Sequence, residues 1–268
     1  IQEFVPKEFW EISMDVLNSE NNKISFSLLR KKSDPLLSKD EADKIEQLIK
    51  SSDLSINDIV KTPTKAKPKA PFITSTLQQA ASTRLSYNVK RTMRVAQKLY
   101  EAGYITYMRT DAPSLSKESI DDARNYIDIK IGKNYLNEAP RIYSGTENAQ
   151  EAHEAIRPTS AFIRASDLVN VSDEETKLYE LIWQQYIACQ MKDAEYLSTS
   201  AKITLDNYIF TAKGREVVFD GYTRIARPSN QDDAILPPLS KGEILSLDAL
   251  NKEQKFTKPP ARFSEAAL

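Results

Sequence analysis

Strand-forming segments lie at both ends of this 268-residue chain and helix-forming segments in its middle, an order that restricts the fold more than any other feature. Residues 9–16 and 23–28 alternate around the turn-forming stretch 18–22, which predicts a β-hairpin within residues 4–30. The same strand pattern returns at 198–205, 208–212, 217–219 and 243–247. Between these ends the apolar spacing is helical. Ser38-Lys39-Asp40-Glu41 is a capping box for a helix through Ile45, Leu48 and Ile49, and Ser75-Thr76-Leu77-Gln78 is a second one. Ser172-Asp173-Glu174-Glu175 opens another helix, with Leu178, Leu181, Ile182 and Cys189 apolar. A helix with Val89, Thr92, Met93, Ala96 and Tyr100 on one face is expected to end at Gly103. The expected class is α+β: a split β-rich domain, residues 1–66 plus 194–268, with a mainly helical domain, 67–193, inserted between its halves. Residues 62–71, where prolines mix with lysines, read as a semi-rigid connection.

Composition narrows the chemistry. One cysteine, Cys189, and one histidine, His153, leave no internal disulfide framework, no thiolate zinc site and no histidine cluster, so any metal would need carboxylates. No stretch of about 18 apolar residues exists and the first residues do not resemble a signal peptide, so no membrane association is expected and the cytoplasm is the default location. A formal net charge of -1 gives no global reason to expect nucleic acid. Charge is nevertheless uneven: Arg84, Lys90, Arg91, Arg94 and Lys98 lie close together, and Lys61, Lys65, Lys67 and Lys69 precede them. Lys90, Arg94 and Lys98 recur every four residues, which places them on the helix face away from its apolar side.

The segment Ile105-Thr106-Tyr107-Met108-Arg109-Thr110-Asp111 follows the helix-ending glycine and is rich in β-branched residues, which predicts an extended strand with Tyr107, Arg109 and Asp111 on one face. A phenol, with a pKa of about 10, is a poor nucleophile near neutral pH, and a guanidinium beside it can favour the phenolate and stabilise charge on a phosphate under attack. Taken alone, a tyrosine two residues from an arginine is more often an ordinary surface pair. Asp40-Glu41-Ala42-Asp43 imitates a helicase box, but no glycine-rich phosphate loop accompanies it, so no nucleotide site is expected.

Three longer blocks point further. Pro71-Phe72-Ile73-Thr74-Ser75-Thr76-Leu77-Gln78-Gln79, residues 99–111 around Tyr107, and Gln150-Glu151-Ala152-His153-Glu154-Ala155-Ile156-Arg157-Pro158 together resemble the signatures of type IA DNA topoisomerases, nearest the bacterial topoisomerase I group. The resemblance extends from Phe4 to the C-terminal stretch 256–265. It implies an arch-like fold in which Tyr107 attacks a DNA phosphate to form a 5′-phosphotyrosine, Arg109 contacts that phosphate and His153 organises DNA near it. Asp111, Arg157, Arg84, Arg91 and Arg94 are the further candidate DNA-binding or site-organising residues. Arg157, next to Pro158, has the alternative of merely anchoring a loop. Ala112 stands where many family members have serine, which puts in doubt only a role for that hydroxyl.

By the same resemblance the intact enzyme has an acidic domain that holds magnesium, and nothing in this chain matches it. The expectation is a central piece of a monomeric, ATP-independent enzyme acting on single-stranded and underwound DNA. The piece itself should hold no metal and be inactive alone. Two readings remain beside it: a piece of a topoisomerase III-type decatenase, and a non-catalytic clamp on single-stranded DNA.

Overall fold

The structure, a computed structural model, describes residues 3–30, 36–144, 154–227 and 234–267. It is α+β, with strands grouped in one seven-stranded sheet of order β3-β7-β1-β2-β6-β5-β4. The chain divides into two compact units: Ile1–Thr64, Tyr196–Val218 and Asp232–Ala261 form the first, and Lys65–Glu195, Phe219–Gln231 and Arg262–Leu268 the second.

In the first unit, β1 (Glu8–Leu17) and β2 (Lys23–Leu28) form the expected hairpin, with Met14 opposite Phe26 and Val16 opposite Ile24. The turn closes through Asn18, whose side chain accepts from the Glu20 and Asn22 amides at 3.1 and 2.8 Å, and through Asn21 in the left-handed region at φ 61°. Alternation puts Ile12, Met14, Val16, Ile24 and Phe26 on one face, and α1 (Lys39–Ser51) covers that face with Ala42, Ile45 and Ile49. Ser38 caps α1 by accepting from the Glu41 amide, as its sequence predicts. After the short β3 (Leu54–Ser55), β4 (Asp58–Ala66) begins. Residues 62–66, expected as part of a linker, therefore belong to a strand. β4 is the last in the sheet order, and an edge strand tolerates Pro63 because an outward position has no ladder bond to donate. β5 (Ala194–Leu205) and β6 (Tyr208–Phe219) are longer than the sequence pattern indicates, and β7 (Ile244–Phe256) runs antiparallel along β1 with a register shift at Asp15/Val16.

The second unit packs α2 (Thr74–Leu85), α3 (Val89–Glu101), α4 (Lys117–Tyr126) and α5 (Asp173–Ala188) around Leu77, Val95, Leu99, Ile182 and Trp183. Ser172 and Glu175 form the expected capping box of α5. The box expected at the start of α2 is shifted: Ile73 is the N-cap, and the Thr76 hydroxyl accepts from its amide at 3.0 Å. Isoleucine offers no side-chain acceptor, so only half of a box exists. Buried polar groups of α5 find backbone partners, the Trp183 indole donating to Ala161 O at 2.8 Å and the Tyr179 hydroxyl to Ile163 O at 2.8 Å. Residues 219–227, expected with the β-rich ends, group with the helices, since Phe219, Tyr222 and Ile225 pack against the helical core.

Phe26 is fully buried in the first unit's core, so Phe26→Ala should cost about 3–5 kcal/mol of stability, read as a lower denaturant midpoint in equilibrium unfolding.

Candidate active site

The candidate nucleophile sits on a segment that two threonines hold from opposite sides. α3 ends as predicted, with Gly103 at φ 76° and the Tyr104 amide donating back to Leu99 O at 2.9 Å. The chain then passes residues 154–158. The Thr106 amide donates to Arg157 O at 2.9 Å, its hydroxyl donates to Ala155 O at 2.7 Å, and the Arg157 amide donates to that hydroxyl oxygen at 3.0 Å. Two residues further on, Thr74 at the first turn of α2 takes over. Its hydroxyl donates to Met108 O at 2.8 Å and accepts from the Thr110 amide at 2.9 Å, while its own amide donates to Thr110 O at 2.9 Å.

Met108, Thr110 and Ala112 are buried, while Tyr107, Arg109 and Asp111 are exposed. The three thus share the outer side, as the period of two predicts. The segment is nevertheless not a strand: apart from the isolated bridge between Ile105 and Pro158 its partners are side-chain hydroxyls and a helix start, which form no continuous ladder.

Exposure sorts the tyrosines. Burial pushes the Tyr179 and Tyr186 phenols far above their ordinary value, which makes them poor nucleophiles. The Tyr104 hydroxyl is engaged with the backbone of Val169, accepting from its amide at 3.0 Å. Tyr107 is 49% exposed, and its ring meets that of Tyr100 edge-on, centroids 5.2 Å apart at 69°. Tyr100 was expected on the apolar face of α3. That face consists instead of Thr92, Val95, Ala96 and Leu99, and Tyr100 is 40% exposed. The reason is a rotation of the apolar stripe by about one residue. Apolar character alone does not locate the stripe, because an aromatic ring can also be covered by another exposed ring.

Arg109 makes no hydrogen bond or ion pair with any described residue, and with Asp111 it borders a recess at the start of α2 that Ile73, Thr74, Ser75 and Gln78 complete. The first-turn amides of α2 and this guanidinium both favour an anion there. The other candidate cations are engaged. Arg157 grips Glu154 with two nitrogens, at 3.0 and 2.8 Å, and donates to Pro158 O at 2.9 Å, the loop-anchoring arrangement. Burial alone would raise the Glu154 carboxyl, but Arg157, the Ser116 amide and the Ser119 hydroxyl together hold it below the ordinary value. Arg91 pairs with Glu174 and lies over the Tyr87 ring, 4.2 Å from its centroid. Arg94 reaches Glu174 at 3.4 Å and Lys98 reaches Glu175 at 3.3 Å. The expected basic row is therefore largely met by the acidic first turn of α5, while Lys90 remains exposed. Arg84 donates to Arg227 O at 3.1 Å. His153 lies outside the described residues.

A family profile described as DNA topoisomerase matches residues 1–268. The chain is 48% identical over 273 residues to DNA topoisomerase 1 of Vibrio cholerae and 46% identical over 272 residues to that of Pseudomonas aeruginosa, in each case across 100% of this chain and 31% of the relative. The chain belongs to the bacterial DNA topoisomerase I family. Its fold is also that of full-length topoisomerase I from Thermotoga maritima, with a TM-score of 0.81 and 30% identity over 99% of this chain and 43% of that one. This chain thus spans about a third of the length of the curated topoisomerases it matches.

Among the described residues no group of three histidine, cysteine, aspartate or glutamate side chains could hold a metal ion, so the described residues do not fit the magnesium that the family resemblance implies. No helix is long and apolar enough to cross a membrane among the described residues. Thr74 and Thr106, unremarked in the sequence, are the residues that hold the Tyr107 segment in place. Their signal was available only as polar β-branched residues inside the matched blocks.

Thr74→Val removes a half-buried donor and acceptor without changing shape, and should cost about 1 kcal/mol. Faster hydrogen exchange at the Thr110 amide, measured by NMR or mass spectrometry, is the expected sign, with Leu99-anchored amides of α3 unaffected.

Proposed function

We propose that this chain supplies the nucleophile of a topoisomerase that relaxes negatively supercoiled DNA through a transient single-strand break. The Tyr107 oxygen loses its proton and attacks a backbone phosphorus, the bond to the neighbouring 3′ oxygen breaks, and that oxygen leaves as a hydroxyl, so in net terms the phenol's proton ends on the 3′ oxygen. The product is a 5′-phosphotyrosine. Resealing is the reverse attack, and because one phosphoester is exchanged for another, no nucleoside triphosphate is consumed. Arg109 carries the charge that develops on the phosphate oxygens. The observation that supports this reading best is the exposed Tyr107, whose backbone is pinned on both sides, with the unpaired Arg109 two residues away on the same outer side. Single-stranded or underwound DNA is the substrate on this reading, since an exposed tyrosine must reach one backbone at a time. Any magnesium is held by residues other than those described.

Two measurements test the proposal. In a full-length family enzyme carrying this chain as its matching segment, Tyr107→Phe should reduce cleavage and relaxation to background while leaving folding intact. Arg109→Lys should retain part of the rate, because lysine keeps the charge but loses the planar fork that can hold two oxygens. Trapping the covalent complex and mapping it by peptide mass spectrometry should place the adduct on Tyr107. An adduct on the neighbouring Tyr100 would overturn the assignment. Separately, this chain alone should not relax supercoiled DNA with or without magnesium, as read on an agarose gel.

A further inference from the structure

Along α2 from the Arg109 recess, and sharing Ile73 with it as a wall, lies a groove of about 360 Å³ in the second unit. Its floor is apolar, with Pro71, Phe72, Ala80 and Pro113, and its rim carries Lys69, Gln79 and Arg84. No carboxylate lines it, although acidic residues outnumber basic ones in the chain by 38 to 37. The wall is fixed: the Gln185 side-chain amide donates to Lys69 O at 3.0 Å and Ala70 O at 2.8 Å. The Lys69 ammonium pairs with no described residue, unlike Lys65, which pairs with Glu195 at 2.6 Å. The Gln79 amide likewise makes no hydrogen bond to a described residue.

We infer that this groove is a subsite for the DNA strand on the 3′ side of the cleaved bond, with one unstacked base on the apolar floor and its flanking phosphates at Lys69 and Arg84. A flat ring suits a floor of proline and phenylalanine, Gln79 can pair with a base edge, and two cations without a carboxylate select an anionic chain. Duplex DNA does not fit, because its bases are stacked and a groove of this size admits one. From Thr74 beside Arg109 to Arg84, α2 advances about 15 Å at roughly 1.5 Å per residue. A stacked strand rises about 3.4 Å per nucleotide and an unstacked one rises more, so about four nucleotides at most cover that distance. Recess and groove lie along one helix, so the strand joined to Tyr107 has a second hold on the unit that carries the tyrosine. The polarity of the strand rests on the assignment of Tyr107 as nucleophile; the groove's preference for an unpaired base does not.

Binding to this chain is read by fluorescence anisotropy with a labelled ten-nucleotide oligothymidine, the same strand paired in a duplex, and an abasic strand of equal charge. The single strand should bind more tightly than either, and because the readout is binding and not cleavage, its failure is distinguishable from failure of the catalytic assignment. Lys69→Gln with Arg84→Gln should weaken binding about tenfold or more and lower the slope of log affinity against log salt by about 1.4, roughly 0.7 for each cation removed from a single strand. Gln79→Ala should reduce only the advantage over the abasic strand, and the control Lys90→Gln should leave that advantage unchanged. Melting curves check that each variant folds. Equal binding of the abasic strand, or an unchanged salt slope in the double variant, would overturn the subsite. In a full-length family enzyme carrying this chain, a photoreactive base three or four nucleotides 3′ of the cleaved bond should crosslink to α2. Crosslinking only from the 5′ side would overturn the polarity.

Discussion

The threonine at the start of α2 is the contact on which the candidate site depends. A single hydroxyl both donates to a carbonyl and accepts from an amide of the segment that displays Tyr107 and Arg109. Thr106 does the same for the strand of chain that ends at Arg157. A loop carrying two exposed, uncompensated side chains would ordinarily be mobile. Here four backbone groups are tied within five residues, and Ile105 and Met108 are sunk in the helical core, so the display is rigid at its root and free at its tips. Preorganisation of this kind is what a reaction at a phosphate requires, since the rate depends on the attacking oxygen being held within a narrow range of positions.

The ion pairs that look most suited to DNA are used for packing. Glu174 and Glu175 occupy the first turn of α5, where the helix dipole favours acids, and the same acids meet Arg91, Arg94 and Lys98 of α3. The exposed pairs among them contribute little individually. Together they fix the approach of two helices and remove most of the field that the cations would project. Charge left over for a polyanion is found elsewhere: at Arg109, at Lys90, and along the groove edged by Lys69 and Arg84.

Much of this architecture was legible in the sequence wherever one local rule decides an element. The hairpin of β1 and β2, the caps of α1 and α5, and the glycine stop of α3 are set by residues within a few positions of each other. Misreadings arose where the deciding partner is distant. Tyr100 counts as apolar in a helical wheel, yet it is covered by Tyr107 rather than by the core. The segment 105–111 has strand composition but takes its partners from two unrelated stretches. Of the site, the exposed side of Tyr107, Arg109 and Asp111 follows from alternation; the threonines that hold it do not.

Pro63 shows how a residue can be misjudged locally and still serve the whole. In sequence it resembles a hinge, whereas in the structure it lies within β4, the outermost strand of the sheet, flanked by the exposed lysines 61 and 65. An outermost strand is a template on which a second chain can add its own, the first step towards aggregation. The proline withholds the amide that such a newcomer would need, and Lys61, facing its own copy, would repel it. The sheet is thereby guarded against growth on that side.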